Sequence, residues 1–132
     1  MSPRGTPILR HVAAAVAVAL LAACASTGAP RAVAIGTDVR LDAGRRVALP
    51  DRSTLVYRGL AEDSRCPRSV HCIHAGSVRV LFEYDAGHGP TAAHVEAPRH
   101  TSAPLGSVWR LTVTDVAGAT PASVDVRIDR SP

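Results

Sequence analysis

The chain has no lysine, only four aromatic residues, three cysteines, and no apolar run long enough to cross a bilayer. All fifteen cations are arginine. With Arg4 and Arg10 assigned to an N-terminal leader, thirteen remain against eleven acids, a surplus of two. No basic run or aromatic-interleaved basic stripe accompanies that surplus, which argues against a nucleic-acid partner, since neutralising phosphates takes clustered cations. Tyr57, Phe82, Tyr84 and Trp109 are the whole aromatic inventory. A core must therefore come mainly from Val, Leu, Ile and Ala, and a core so lean gains from a covalent staple. At 132 residues, the length suits one domain and not two.

What is present begins with an address. Arg4 and Arg10 precede an uncharged run from Val12 to Ala23, the order of charge and apolar stretch that marks an export signal. As a helix that run would span about 18 Å against a bilayer core of about 30 Å, so it reads as a cleaved signal and not a transmembrane helix. It ends Leu21-Ala22-Ala23-Cys24, which resembles the lipobox of bacterial lipoproteins. The resemblance implies cleavage after Ala23 and diacylglycerol on the Cys24 sulfur. The competing reading is an ordinary signal peptide cut near Ala22–Ala25, with Cys24 incidental. Within the lipoprotein class, Ala25 rather than Asp after the Cys implies delivery to the outer membrane, facing the periplasm. Residues 24–32 are small and polar with a Gly and a Pro, which is linker chemistry. Nine such residues reach at most about 30 Å, so a partner must lie close to the bilayer. The expected organisation is a signal peptide over 1–23, a lipidated tether over 24–32 and a β domain over 33–130.

Past Val33 the apolar period is two, and turn residues fall every eight to twelve positions. The clearest strands place Val78, Val80, Phe82 and Tyr84 on one face, then Trp109, Leu111 and Val113, then Val124, Val126 and Ile128. Weaker candidates are Val33–Leu41, Arg46–Leu49, Thr54–Leu60 and Thr91–Glu96. Turns are expected at Pro50–Ser53, Asp85–Gly87 and Ala117–Gly118, and a long exposed loop at Pro98–Pro104. The fold class that follows is all-β: a small antiparallel sandwich or barrel of about six to seven strands.

The densest chemistry lies in the segment from Glu62 to Gly76. Once Cys24 is lipidated, Cys66 and Cys72 are the remaining thiols, and an exported chain meets an oxidising compartment where they pair. Six residues of straight helix would hold their Cα atoms about 9 Å apart, beyond the roughly 4.4–6.8 Å of a disulfide. The loop must therefore double back, with Pro67 opening at most one helical turn. The rival reading takes Cys66, His71, Cys72 and His74 as zinc or copper ligands, although Cys-x5-Cys-x-His is not a usual finger spacing. Asp63-Ser64-Arg65-Cys66-Pro67, then Cys72 and Gly76, resembles a family of small, uncharacterised bacterial exported proteins and lipoproteins, over about Leu41 to Tyr84. The resemblance brings placement in the envelope and the paired cysteines, and no activity. This chain departs from it at His74, where the family commonly has Trp.

Asp63 and Arg65 are read as a structural pair, an Asx-type turn plus an ion pair, with recognition as the sharper alternative. Ser64 beside Asp63, with His71 or His74 nearby, offers a superficial nucleophile and base, but no supporting elbow motif appears. His88, His94 and His100 recur every six residues, a spacing that implies no shared face, and are read as solvated loop residues. The leading expectation is a membrane-anchored, non-catalytic lipoprotein without a cofactor, binding an envelope protein or ligand. A periplasmic metal module on His71 and His74 and a small exported hydrolase are the alternatives.

Overall fold

Two-residue alternation resolves into nine strands in a computed structural model that describes residues 29–118 and 122–132. They are β1 (Arg31–Ala32), β2 (Asp38–Leu41), β3 (Arg46–Ala48), β4 (Thr54–Asp63), β5 (Val78–Asp85), β6 (Pro90–Ala97), β7 (Ser102–Leu105), β8 (Trp109–Ala117) and β9 (Ser123–Arg130). The leader, Cys24 and the first residues of the tether lie outside the described residues. One sheet has the order β1-β3-β4-β5-β6 and the other β2-β9-β8-β7. Every pairing is antiparallel except β1 with β3. Two sheets face to face make a sandwich, because each has an apolar face to bury against the other.

The alternating faces expected of β5, β8 and β9 are the ones buried. Val78, Val80, Phe82 and Tyr84 of β5 meet Trp109, Leu111, Val113, Val124, Val126 and Ile128 across the interior. Tyr57 and Phe82 pack with ring centroids 5.6 Å apart. Tyr57 and Trp109 both find acceptors for their polar hydrogens, as deeply buried donors require. The Tyr57 hydroxyl donates to the Ala122 carbonyl at 3.1 Å, and the Trp109 indole N–H donates to Asp51 Oδ2 at 2.7 Å.

Arginine reappears on the outer faces as one half of cross-strand pairs. Arg40 lies opposite Asp125 and Arg127 opposite Asp38 on one sheet. Glu62 lies opposite Arg79 on the other, where Arg58 also reaches Glu83 at 2.7 Å. Much of the charge is thus matched across strands; such exposed pairs set register more than they add stability.

The structure differs from the expected strand map in three places. Pro98–Pro104 is not one exposed loop: only the turn after β6 is, and Ser102–Leu105 forms β7, with Leu105 buried. Pro104 misled because proline weakens a strand, yet β7 is an edge, where a missing N–H costs no ladder bond. Val33–Leu41 is not one strand either. Gly36, at φ +77°, donates its N–H to Ile128 O at 2.9 Å and turns the chain from the first sheet into the second. Finally, β4 continues past Leu60 to Asp63 through register shifts at Tyr57/Gly59 and Leu60/Glu62. The count rises from six or seven to nine through short edge strands such as β1 and β7, too brief to show a period. Strand β1 falls at the end of the stretch read as tether.

Candidate functional site

Strands β4 and β5 are joined by the cysteine loop at one end of the sandwich, which we call the disulfide end. Cys66 and Cys72 are bonded, with Cα atoms 5.9 Å apart. Pro67 opens a single turn, in which the Val70 N–H donates to Pro67 O at 3.1 Å, and the chain then reverses. The loop's stem is stitched from both sides: Ser64 N–H to Ser77 O at 2.8 Å, Cys66 N–H to Ala75 O at 3.2 Å. The Ser64 hydroxyl donates to Ser77 O and accepts from the Ser77 N–H, each at 3.0 Å. Gly76 sits at φ +70°, and a Cβ there would overlap the Ser64 carbonyl. Its place in the motif thus has a steric cause: the returning strand passes too close for any side chain.

Arg65 ties this loop to the other sheet. Its backbone N–H closes an Asx turn on Asp63 Oδ1 at 3.1 Å, while Nε and Nη2 grip the same carboxylate at 2.8 and 2.6 Å. Nη1 then donates to the Val116 carbonyl of β8 at 2.7 Å, and Nη2 to Gly118 O at 3.4 Å. The guanidinium fork suits this double duty, since a lysine could not hold a carboxylate and a carbonyl in fixed planes at once. Hydrogen bonding to Arg65, against a smaller opposing effect of burial, holds the Asp63 carboxyl below its ordinary range.

Beneath the loop a groove of about 380 Å³ opens between the sheet ends, with Arg65, Cys66, Gly76, Val78, Val113 and Asp115 among its walls. It is part apolar and part charged, and too open to desolvate a reacting group.

Of the residues singled out from sequence, Asp63, Ser64, Arg65, Cys66, Pro67, Cys72 and Gly76 come together in this one loop. With both sulfurs bridged, the four-ligand set of Cys66, His71, Cys72 and His74 does not exist. His71 and His74 are exposed, and no group of three or more His, Cys, Asp or Glu side chains converges among the described residues. His88, His94 and His100 do not meet: His88 lies in the turn between β5 and β6, and His100 bridges back to Glu96. His94, expected in a loop, is on the exposed face of β6.

Sequence reasoning missed three hydrogen-bond acceptors and one surface. Asp51 receives the Trp109 indole, and the Val116 and Gly118 carbonyls receive Arg65. None of these had a sequence signal, because each pairing spans at least fifty residues. The missed surface is on the loop itself, where Ile73 is 95% exposed and Val70 57%. No protein-family model, curated protein or solved structure matches this chain. What the fold and loop define is a class: a small β-sandwich with one end closed by a disulfide-pinned loop.

Proposed function

We propose that this chain is a lipid-anchored lipoprotein of the bacterial cell envelope, held at the membrane through Cys24, whose sandwich is a non-catalytic binding module. The observation that carries this reading is the Cys66–Cys72 bond in an exposed loop. An accessible pair of this kind is kept reduced in most cytosols and stays joined in an oxidising, exported setting. The charged and apolar leader that ends at Cys24 supplies the route to that setting. Ala25 favours the outer membrane, facing the periplasm. Ser64, which a hydrolase reading would need as its nucleophile, commits its hydroxyl to Ser77 and so belongs to the loop's scaffold.

The test is intact-mass analysis of native material from the membrane fraction, with thiol titration after denaturation. A chain starting at Cys24 and carrying diacylglycerol, with no free thiol, is the expected result. A Met1 start, or an unmodified Cys24, overturns the anchor. Crosslinking the lipidated protein in living cells then identifies what the module touches.

A further inference from the structure

We propose that the disulfide loop is a membrane-contact surface: Val70 and Ile73 enter the interface of an anionic lipid leaflet while Arg68 and Arg99 meet its headgroups, flanked by His71 and His74. Its location at a bilayer rests on the lipoprotein reading above.

The first ground is exposure. A lone apolar side chain in water is ordinary. Here Val70 stands inside the ring closed by the Cys66–Cys72 disulfide and Ile73 directly after it, on a loop stitched at its stem and clamped by Arg65. Ile73, next to the bridged Cys72, is 95% exposed. Apolar side chains beside cations are the combination that settles into a lipid interface.

Charge gives the second ground. From Ser64 to Phe82 the chain contains no acid. Asp63, at the stem, is neutralised by Arg65. Arg99 is brought to this end because Ala97 pairs with Val78, where the loop rejoins the sheet. Neither Arg68 nor Arg99 has an ion-pair partner among the described residues. Of the other acids near this end, Glu62 is paired with Arg79, Glu96 sits on β6, and Asp115 on β8 lines the groove with Arg65. At the opposite end, Asp51, Asp85 and Asp129 are matched by Arg52, Arg110 and Arg130. An anionic surface would therefore be met at the disulfide end by the Arg68 and Arg99 cations.

The third ground is the direction of the tether. Strand β1 runs parallel to β3 and hence opposite to β4, which runs toward the loop. Followed backward from Arg31, the chain heads for the disulfide end. Arg31 is level with Val47, which pairs with Leu55, which pairs with Tyr84. From Tyr84 to Val78, at the base of the loop, is six residues of strand, about 20 Å. Cys24 stands seven residues before Arg31, a reach of at most about 25 Å. An acylated Cys24 can thus reach the plane of the loop's base, which puts anchor and loop at the same end of the sandwich.

The test uses the whole mature chain, residues 24–132, with Cys24→Ser to remove the lipid, cosedimented with phosphatidylcholine vesicles with and without phosphatidylglycerol. Binding to the anionic vesicles above the neutral ones is expected, weakened by salt. Ile73→Ser should lower the partition about tenfold, and Arg68→Gln about fivefold. Both side chains are exposed, so an unchanged thermal midpoint certifies the fold of each variant. Equal binding to the two lipid mixtures, or variants indistinguishable from the parent, overturns the proposal. So does a photoreactive group at position 73 of the lipidated protein that labels one protein in cells and no lipid. An unmodified Cys24 in the intact mass would sink the anchor while leaving the vesicle result to stand by itself.

Discussion

Replacing Arg65 with glutamine removes a side chain that joins the cysteine loop to the second sheet, and the size of the loss can be worked from its contacts. The ion pair with Asp63 is about one-third exposed on each side. Solvent screening therefore limits its value to roughly 0.5–1 kcal/mol. The bond to the Val116 carbonyl, at 2.7 Å, is part-buried and charge-assisted, a type that contributes about 1.5–3 kcal/mol. Together they predict a destabilisation of about 2–4 kcal/mol, or roughly 10–25 °C in thermal midpoint for a domain of this size. Arg65→Lys should recover only part of it, since an ammonium cannot fork between carboxylate and carbonyl. The assay is urea unfolding followed by Trp109 fluorescence, with the disulfide intact. It should be repeated across pH. The Asp63 carboxyl is held below its ordinary value, chiefly by its hydrogen bond to Arg65. As pH falls below about 4, the unfolded chain takes up that proton first, so stability present above the unfolded pKa is lost as pH drops through the folded one. The Gln variant should lose Asp63's part of that dependence. A cost under about 0.5 kcal/mol, or a Lys variant equal to the parent, would refute the bridging role of the guanidinium.

Paired Cys66→Ser and Cys72→Ser substitutions should lower stability by about 2–2.5 kcal/mol, the closure entropy of so short a loop. The sandwich should persist, since the loop lies outside the core; calorimetry showing an unchanged midpoint would contradict this. Asp51→Ala strands the indole N–H of Trp109, which is 1% exposed, at an expected cost of about 1–3 kcal/mol with a shifted Trp emission. Burial pushes the Asp51 carboxyl up, but hydrogen bonds from Ser53 and Trp109 outweigh it, and the net displacement is downward. Asp51 should therefore add to the same acid-side loss as Asp63, and an Asp51→Asn variant with undiminished acid sensitivity would contradict that. Gly76→Ala should be the most damaging small substitution in the loop, because left-handed backbone and a clash with the Ser64 carbonyl coincide. A loss above about 2 kcal/mol in denaturant titration is expected, and a neutral variant would show that the stem can shift.

The strands that alternate cleanly, β5, β8 and β9, were legible in the sequence because a period of two needs only local side-chain chemistry. The disulfide was legible for a different reason: a count of thiols and a compartment. What the local pattern could not carry was anything decided by an edge or a crossing. Pro104 reads as loop until β8 is there to make β7 an edge strand, and Val33–Leu41 reads as continuous until Gly36 meets Ile128 in the opposite sheet.

The amino-acid order alone thus settled the all-β class, the faces of the principal strands and the cysteine pair, since each follows from neighbours within a few positions. Tertiary structure decided which sheet each strand joined, that Arg65 clasps β8, and that Ile73 stands exposed in water. Those outcomes depend on groups far apart along the chain, and only packing brings them within contact distance.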